Sequence, residues 1–105
     1  MNEITIIAPG ILLALREYFS NQPVLKAWVF GSVSRGEATS KSDIDIIVCF
    51  DPKAQVGIFK HIAMNQELEA LLQREVDLVT DGSLLPWIKD SVDKDKILIY
   101  EREIA

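Results

Sequence analysis

The sequence predicts an α/β (α+β) fold: a small mixed β-sheet with helices packed on it. Two observations predict it. Four short apolar runs, at 25–30, 43–50, 75–80 and 97–100, have the length and β-branched or aromatic content of strands. Between and before them, apolar residues recur at helical spacing. The resulting order, α-β-loop-β-α-β-α-β, layers helices onto one sheet.

Residues 1–7 are short and apolar, a small strand or an arm against the body. Pro9 and Gly10 break that run, and Pro9 suits the first turn of a helix, where a missing N–H costs nothing. Ile11, Leu12, Leu15, Tyr18 and Phe19 follow at helical spacing. Asn21, Gln22 and Pro23 end that helix. Residues 25–30 (LKAWVF) are the first strand, and residues 31–42, rich in Gly, Ser and Thr, are a loop with room for one helical turn. Residues 43–50 (DIDIIVCF) are the second strand, with Ile44, Ile46 and Val48 on its core face and Asp51 and Pro52 closing it. The loop is too short for a full helical crossover, so these two strands are expected to be antiparallel neighbours. Ile58, Ile62, Leu68, Leu71 and Leu72 mark a helix over about 57–74. Residues 75–80 (EVDLVT) are the third strand, and Asp81, Gly82 and Ser83 turn the chain. Ser83 is a candidate N-cap for a helix through Leu84, Leu85, Trp87 and Ile88, with Pro86 in its first turn. The charged run 90–96 reads as a solvated face or turn, and residues 97–100 (ILIY) as the last strand. With no repeat, linker or low-complexity tract, residues 1–105 are expected to be one domain.

The composition narrows the function classes. Apolar residues make up 49% of the chain, which supports a core despite the small size. Eleven basic against sixteen acidic residues give a net charge of −5. That balance, with no Lys/Arg stripe, argues against direct nucleic-acid binding, which rests on neutralised phosphates. Cys49 is the single cysteine and reads as a small buried hydrophobe, so no disulfide framework is available within the chain. No signal peptide and no membrane span are read from the sequence, and a cytoplasmic location is expected. Trp28 and Trp87 read as core, with Trp87 and Tyr100 also candidates for a partner surface. His61, the only histidine, is expected at the surface or half-buried on the second helix.

The chemistry concentrates in three carboxylates. Asp43 and Asp45 are two apart on the second strand, so alternation points both to one face. Carboxylates so close disfavour each other's ionisation unless a cation intervenes. A hard divalent ion, with its preference for oxygen ligands, resolves the conflict. Asp77 sits between Val76 and Leu78 in an apolar strand, where a charge is costly unless paired or coordinated. If the third strand lies beside the second, Asp77 can approach the first pair. Three acids can then hold two magnesium ions, which clamp the attacking and leaving oxygens of a phosphoryl transfer. A DxD alone reads more readily as a strand cap or a solvated strand end than as a metal site.

A second group precedes them. Gly31 and Ser32 follow the first strand directly. Glycine lets backbone approach a ligand, and a serine hydroxyl with neighbouring N–H groups can bind phosphate oxygens where a helical turn begins. Arg35 can add charge-assisted bonds to a triphosphate. In isolation the segment also reads as an ordinary surface loop.

The combination is more specific than its parts. Phe30-Gly31-Ser32-Val33-Ser34-Arg35-Gly36-Glu37-Ala38 runs into Ser42-Asp43-Ile44-Asp45-Ile46-Ile47-Val48. This resembles the signature of the polymerase-beta-like nucleotidyltransferase superfamily: a strand, GS, a spacer, then DxD on the next strand. Asp77 in Glu75-Val76-Asp77-Leu78-Val79 matches the third carboxylate of that superfamily. The RGE and SDID segments further resemble its minimal, or MNT, subgroup. The resemblance implies that Gly31 and Ser32 position a triphosphate and that Arg35 contacts it. It implies that Asp43, Asp45 and Asp77 bind Mg2+, two ions in all, with Asp77 also helping to activate the attacking hydroxyl. Larger members carry a helical acceptor domain, and no counterpart of it is expected within these 105 residues.

The resemblance therefore implies an antitoxin enzyme that transfers AMP from ATP to a tyrosine hydroxyl of a HEPN-domain RNase toxin, as part of a hetero-oligomer. Two alternatives stay open: a non-catalytic module that neutralises a toxin by covering it, and nucleotidyl transfer to a small molecule or RNA.

Overall fold

A computed structural model describes residues 9–31 and 43–102. It contains three helices, α1 (Pro9–Ser20), α2 (Ile58–Leu72) and α3 (Pro86–Asp95). Four strands, β1 (Val24–Phe30), β2 (Ile44–Phe50), β3 (Val76–Thr80) and β4 (Ile97–Glu101), form one sheet in the order β3-β2-β1-β4. The expected pairing of β1 with β2 is antiparallel, as is β1 with β4, while β2 and β3 run parallel, so the sheet is mixed. The reading of residues 1–7 lies outside the described residues, as does most of the loop after Gly31.

The core forms on one face of the sheet. Ile44, Ile46 and Val48 of β2 meet Val76 and Leu78 of β3 and Ala27 and Val29 of β1, all buried. Leu15 and Phe19 of α1 and Met64 and Leu68 of α2 close over them at i, i+4 spacing, also with no more than trace exposure. The apolar positions that mark α2 in the sequence are only partly its buried face. Ile58, Ile62 and Leu71 are exposed, because the helix turns Met64 and Leu68 toward the sheet instead.

Polar side chains of the helices satisfy both sheet edges. Along β3, Glu69 Oε2 accepts from Val76 N–H at 3.1 Å, and Asn65 Nδ2 donates to Val76 O at 2.9 Å. Asn65 Oδ1 accepts from Leu78 N–H at 3.0 Å, and His61 Nε2 lies 2.6 Å from Leu78 O. His61, Asn65 and Glu69 are spaced i, i+4, i+8, one stripe of α2. On the other edge, Arg16 Nε of α1 donates to Ile99 O of β4 at 2.8 Å. The β3 edge is thereby largely occupied by side chains of α2, which blunts it as a template for another strand, whereas on β4 Arg16 occupies one carbonyl.

Several local expectations are corrected. Ser83 is not an N-cap: its hydroxyl donates to Thr80 O, Leu84 and Leu85 precede the helix, and α3 starts at Pro86 with Leu85 at the cap position. The charged run 90–96 is a solvated face, as expected, and lies mostly on the second half of α3, where Asp93 is held by Lys89 at 2.7 Å and Lys96 at 2.9 Å. A short 3-10 turn, Pro52–Ala54, follows β2, capped by Asp51 accepting from Lys53 N–H. Trp87 is not core but 71% exposed, since α3 turns only Val92 into a buried position. Trp28 is half-buried under the Lys96 ammonium, 4.8 Å from its ring. Tyr100 is half-buried, packing against the core cluster near Phe19 while also lining a surface groove with Arg16 and Leu98. Cys49 is half-buried rather than buried, because it alternates with Val48 to the opposite face. Among the described residues, no helix is long and apolar enough to cross a membrane.

Candidate functional site

The second face of the sheet carries the carboxylates. Phe30 of β1 pairs with Asp45 of β2, and Asp45 pairs with Asp77 of β3. Residues in register share a face, so these three form one row across three strands. The helix-covered residues Ile44, Ile46, Val76 and Leu78 alternate with Asp45 and Asp77 and point the other way. In a parallel pair the Cα atoms of Asp45 and Asp77 stand about 4.8 Å apart. Adjacent carboxylates at that spacing repel unless a cation or donors intervene.

Each acid has a distinct setting. Asp45 is half-buried, while Asp43 and Asp77 are exposed. Asp43 stands one residue before β2, where the ladder opens with Ile44 N–H donating to Glu75 O at 2.9 Å. It is therefore at the mouth of the strand rather than within it. Exposure also removes the expected desolvation cost at Asp77: its strand is apolar on the helix-covered face, and the acid occupies the open one.

Gly31 ends β1 beside this row. Its φ is +72°, a left-handed conformation that side chains disfavour. A Cβ built there would collide with the Asp45 carboxylate, 3.2 Å from its Cγ and closer to Oδ2. The glycine is thus required twice over, for the turn and for the space Asp45 occupies. Ser32 and Arg35 lie outside the described residues.

The row sits at the C-terminal end of β1 and the N-terminal ends of β2 and β3. At the opposite end of β2 and β3 is a cleft of 380 Å³ lined by Phe50, Val56, Gly57, Ile58, His61 and Thr80. His61 belongs to that end. The Leu78 carbonyl can only accept, so His61 Nε2 carries the proton of that bond. Its Nδ1 faces Thr80 Oγ1 at 3.5 Å. His61 is half-buried, in keeping with its sequence reading, and it supports β3 from the helix side.

The donor set has the chemistry of a hard divalent cation: carboxylate oxygens on one face, without sulfur or imidazole. Among the described residues, no group of three or more acidic, histidine or cysteine side chains is placed to hold a metal ion, so Asp43, Asp45 and Asp77 do not converge as a ready-made triad. Magnesium characteristically takes one or two protein carboxylates and completes its shell with water and substrate phosphates. The side-by-side Asp45 and Asp77 fit that pattern.

Sequence reading missed Asn65, which bonds both Val76 and Leu78 around Asp77. The available signal was the i, i+4, i+8 spacing of His61, Asn65 and Glu69, which puts three polar groups in one stripe of the helix.

Known proteins resemble this chain along most of its length. The family model for polymerase beta nucleotidyltransferases matches residues 14–105. Protein adenylyltransferase MntA of Thermococcus cleftensis is 37% identical over 99 residues, covering 94% of this chain and 95% of that protein. A chain of the crystal structure of a toxin–antitoxin with AMP-PNP superposes with a TM-score of 0.74 at 21% identity, over 88% of this chain and 74% of that one. A chain of the tri-AMPylated Shewanella oneidensis HEPN toxin in complex with MNT antitoxin gives a TM-score of 0.61 at 22% identity, over 97% and 74%. At these identities the two structural likenesses concern the fold.

Proposed function

We infer that this chain, which belongs to the polymerase beta nucleotidyltransferase family, transfers AMP from ATP to a tyrosine hydroxyl of a HEPN-domain toxin and so acts as its antitoxin. The observation that carries this reading is the strand register that sets Asp77 beside Asp45, with Gly31 turning against the Asp45 carboxylate. The adenylyltransferase relative and the AMPylated HEPN complex support the choice of donor and acceptor.

In the proposed reaction the tyrosine oxygen attacks the α-phosphorus of ATP. A new P–O bond forms to the tyrosine while the bond to the bridging oxygen breaks, and pyrophosphate leaves with that electron pair. The hydroxyl proton passes to the exposed carboxylate of Asp77. Asp43, Asp45 and Asp77 would hold Mg2+, which when bound neutralises the charge of the phosphates. Gly31 and Ser32 position the triphosphate, and Arg35 adds a phosphate contact. The chain's own share is mainly positioning and electrostatics, as suits transfer between bound oxygens.

A protein acceptor also suits the surface. Trp87, in the first turn of α3, is 71% exposed, while the exposed Ile58 and Phe59 belong to the end of β2 and β3 away from the carboxylate row and would meet a partner there rather than at the acids. Aromatic residues are enriched where proteins meet. A reducing, cytoplasmic setting goes with this role.

The test is incubation of the chain with its toxin partner, Mg2+ and ATP labelled on the α-phosphate. Label should appear on a partner tyrosine and depend on added Mg2+. The double variant Asp43→Ala/Asp45→Ala should abolish it. Full neutralisation of the toxin by that variant at native expression would make binding sufficient and transfer dispensable.

A further inference from the structure

We propose that Asn65 is a positioning residue that aims the Asp77 carboxylate. The proposal rests on the metal-binding reading of Asp77 given above.

Asp77 is exposed on β3, an edge strand with a sheet neighbour on one side only. Among the described residues no side chain is bonded to the Asp77 carboxylate, so its direction follows from its backbone. Two peptide units meet at the Asp77 Cα. One carries the Val76 carbonyl, the other the Leu78 N–H. Asn65 binds both: Nδ2 donates to Val76 O at 2.9 Å, and Oδ1 accepts from Leu78 N–H at 3.0 Å. A single planar amide therefore spans both peptide planes around Asp77.

The neighbouring bonds do not do this. Glu69 takes the Val76 N–H, and His61 meets the Leu78 carbonyl, each one peptide further out. β2 pairs with the other edge of β3, in register at Asp45 and Asp77. The two supports together hold the spacing between the two carboxylates. Asn65 lies on the helix-covered side, so it supports the acid from behind and touches neither nucleotide nor acceptor. Asparagine offers a donor and an acceptor in one rigid group, which neither Asp nor Leu supplies.

The experiment compares Asn65→Ala, Glu69→Ala, Asp77→Asn and the double variant Asn65→Ala/Asp77→Asn in full chain with its toxin partner. The readouts are kcat, KM for ATP, the Mg2+ concentration for half-maximal rate, and Tm. Asn65→Ala should lower kcat by roughly 10–100-fold and raise the Mg2+ requirement, as loss of a group orienting a metal ligand does. KM for ATP should move little. Glu69→Ala, which removes one bond from the same edge, should lower Tm while leaving kcat within about twofold, since it does not span Asp77. The double variant should be no slower than Asp77→Asn alone, because without the carboxylate there is nothing to aim.

Equal kcat losses in Asn65→Ala and Glu69→Ala would reduce Asn65 to ordinary edge support and overturn the proposal. So would wild-type kcat in Asn65→Ala alongside an impaired Asp77→Asn. Wild-type transfer by Asp77→Asn would instead overturn the reading of Asp77 itself. If Asn65→Ala does not fold, Asn65→Asp keeps an acceptor for Leu78 N–H but replaces the donor to Val76 O with a charged oxygen that this carbonyl repels. It should show the same fall in kcat, and a wild-type rate there would equally refute the assignment.

Discussion

Replacing Gly31 by alanine tests the geometry of the site at its tightest point. Two costs arise at once. Alanine at a φ of +72° sits in the left-handed region, a penalty of roughly 1–2 kcal/mol. Its Cβ would also overlap the Asp45 carboxylate. Either Asp45 leaves its rotamer, at about 0.5–1.5 kcal/mol, or the start of the loop moves. The sum, roughly 1.5–3.5 kcal/mol, corresponds to a fall in Tm of roughly 6–28 °C for a domain of this size. The catalytic cost is larger in proportion, because a misplacement of ~1 Å at a reacting group can cost ~100-fold in rate. Gly82 supplies the control. Its φ is +90°, but nothing lies within 4 Å of a Cβ built there. Gly82→Ala therefore carries the backbone penalty without the collision. The assay pairs thermal unfolding with the initial rate of AMP transfer at saturating ATP and Mg2+. Gly31→Ala should lose about 100-fold in rate and Gly82→Ala almost none. Equal transfer rates for the two variants, each measured folded, would refute the claim that Gly31 makes room for Asp45.

Two further predictions concern the scaffold. Phe19 has no exposed surface and lies 5.6 Å from the Tyr18 ring and 6.1 Å from the Tyr100 ring. Phe19→Ala should cost ~3–5 kcal/mol in urea unfolding, and a cost under ~1 kcal/mol would mean that the core does not close over this ring. Tyr18 is raised above the ordinary tyrosine range first by burial and then by its bond to Glu67 Oε1. The folded state thus keeps a proton that the unfolded chain releases near pH ~10, so this stabilisation is full below that pH and lost as pH rises above it. Tyr18→Phe should cost about 1 kcal/mol at neutral pH and flatten the alkaline fall in stability. Superimposable stability curves for the two proteins between about pH 9 and 12 would show that the Tyr18 hydroxyl is not linked to folding.

Much of the frame was legible because its signals are local. Ile44, Ile46 and Val48 alternate as a core strand must, and all three are buried. The loop too short for a helical crossover correctly implied the antiparallel β1–β2 pair. The helical faces were less legible. Ile58, Leu71 and Trp87 are as apolar as Met64 and Leu68, and only packing distinguishes which side of each helix meets the sheet. The edge bonds of Asn65 were hidden for a similar reason, since asparagine on a helix names no partner until the edge of β3 lies beside it.

The sequence by itself determined the donor types and their alternation: Asp45 opposite in phase to Ile44 and Ile46, Asp77 between Val76 and Leu78, and a glycine at the end of β1. Local periodicity and residue chemistry suffice for that. Only the tertiary structure decided that β3 lies parallel beside β2 with Asp77 level with Asp45, since strand register is set by burying Val76 and Leu78 against the same core as Ile44 and Ile46. It alone also decided that Gly31 turns against Asp45, because a positive φ and a near contact are properties of the paired strands rather than of either segment.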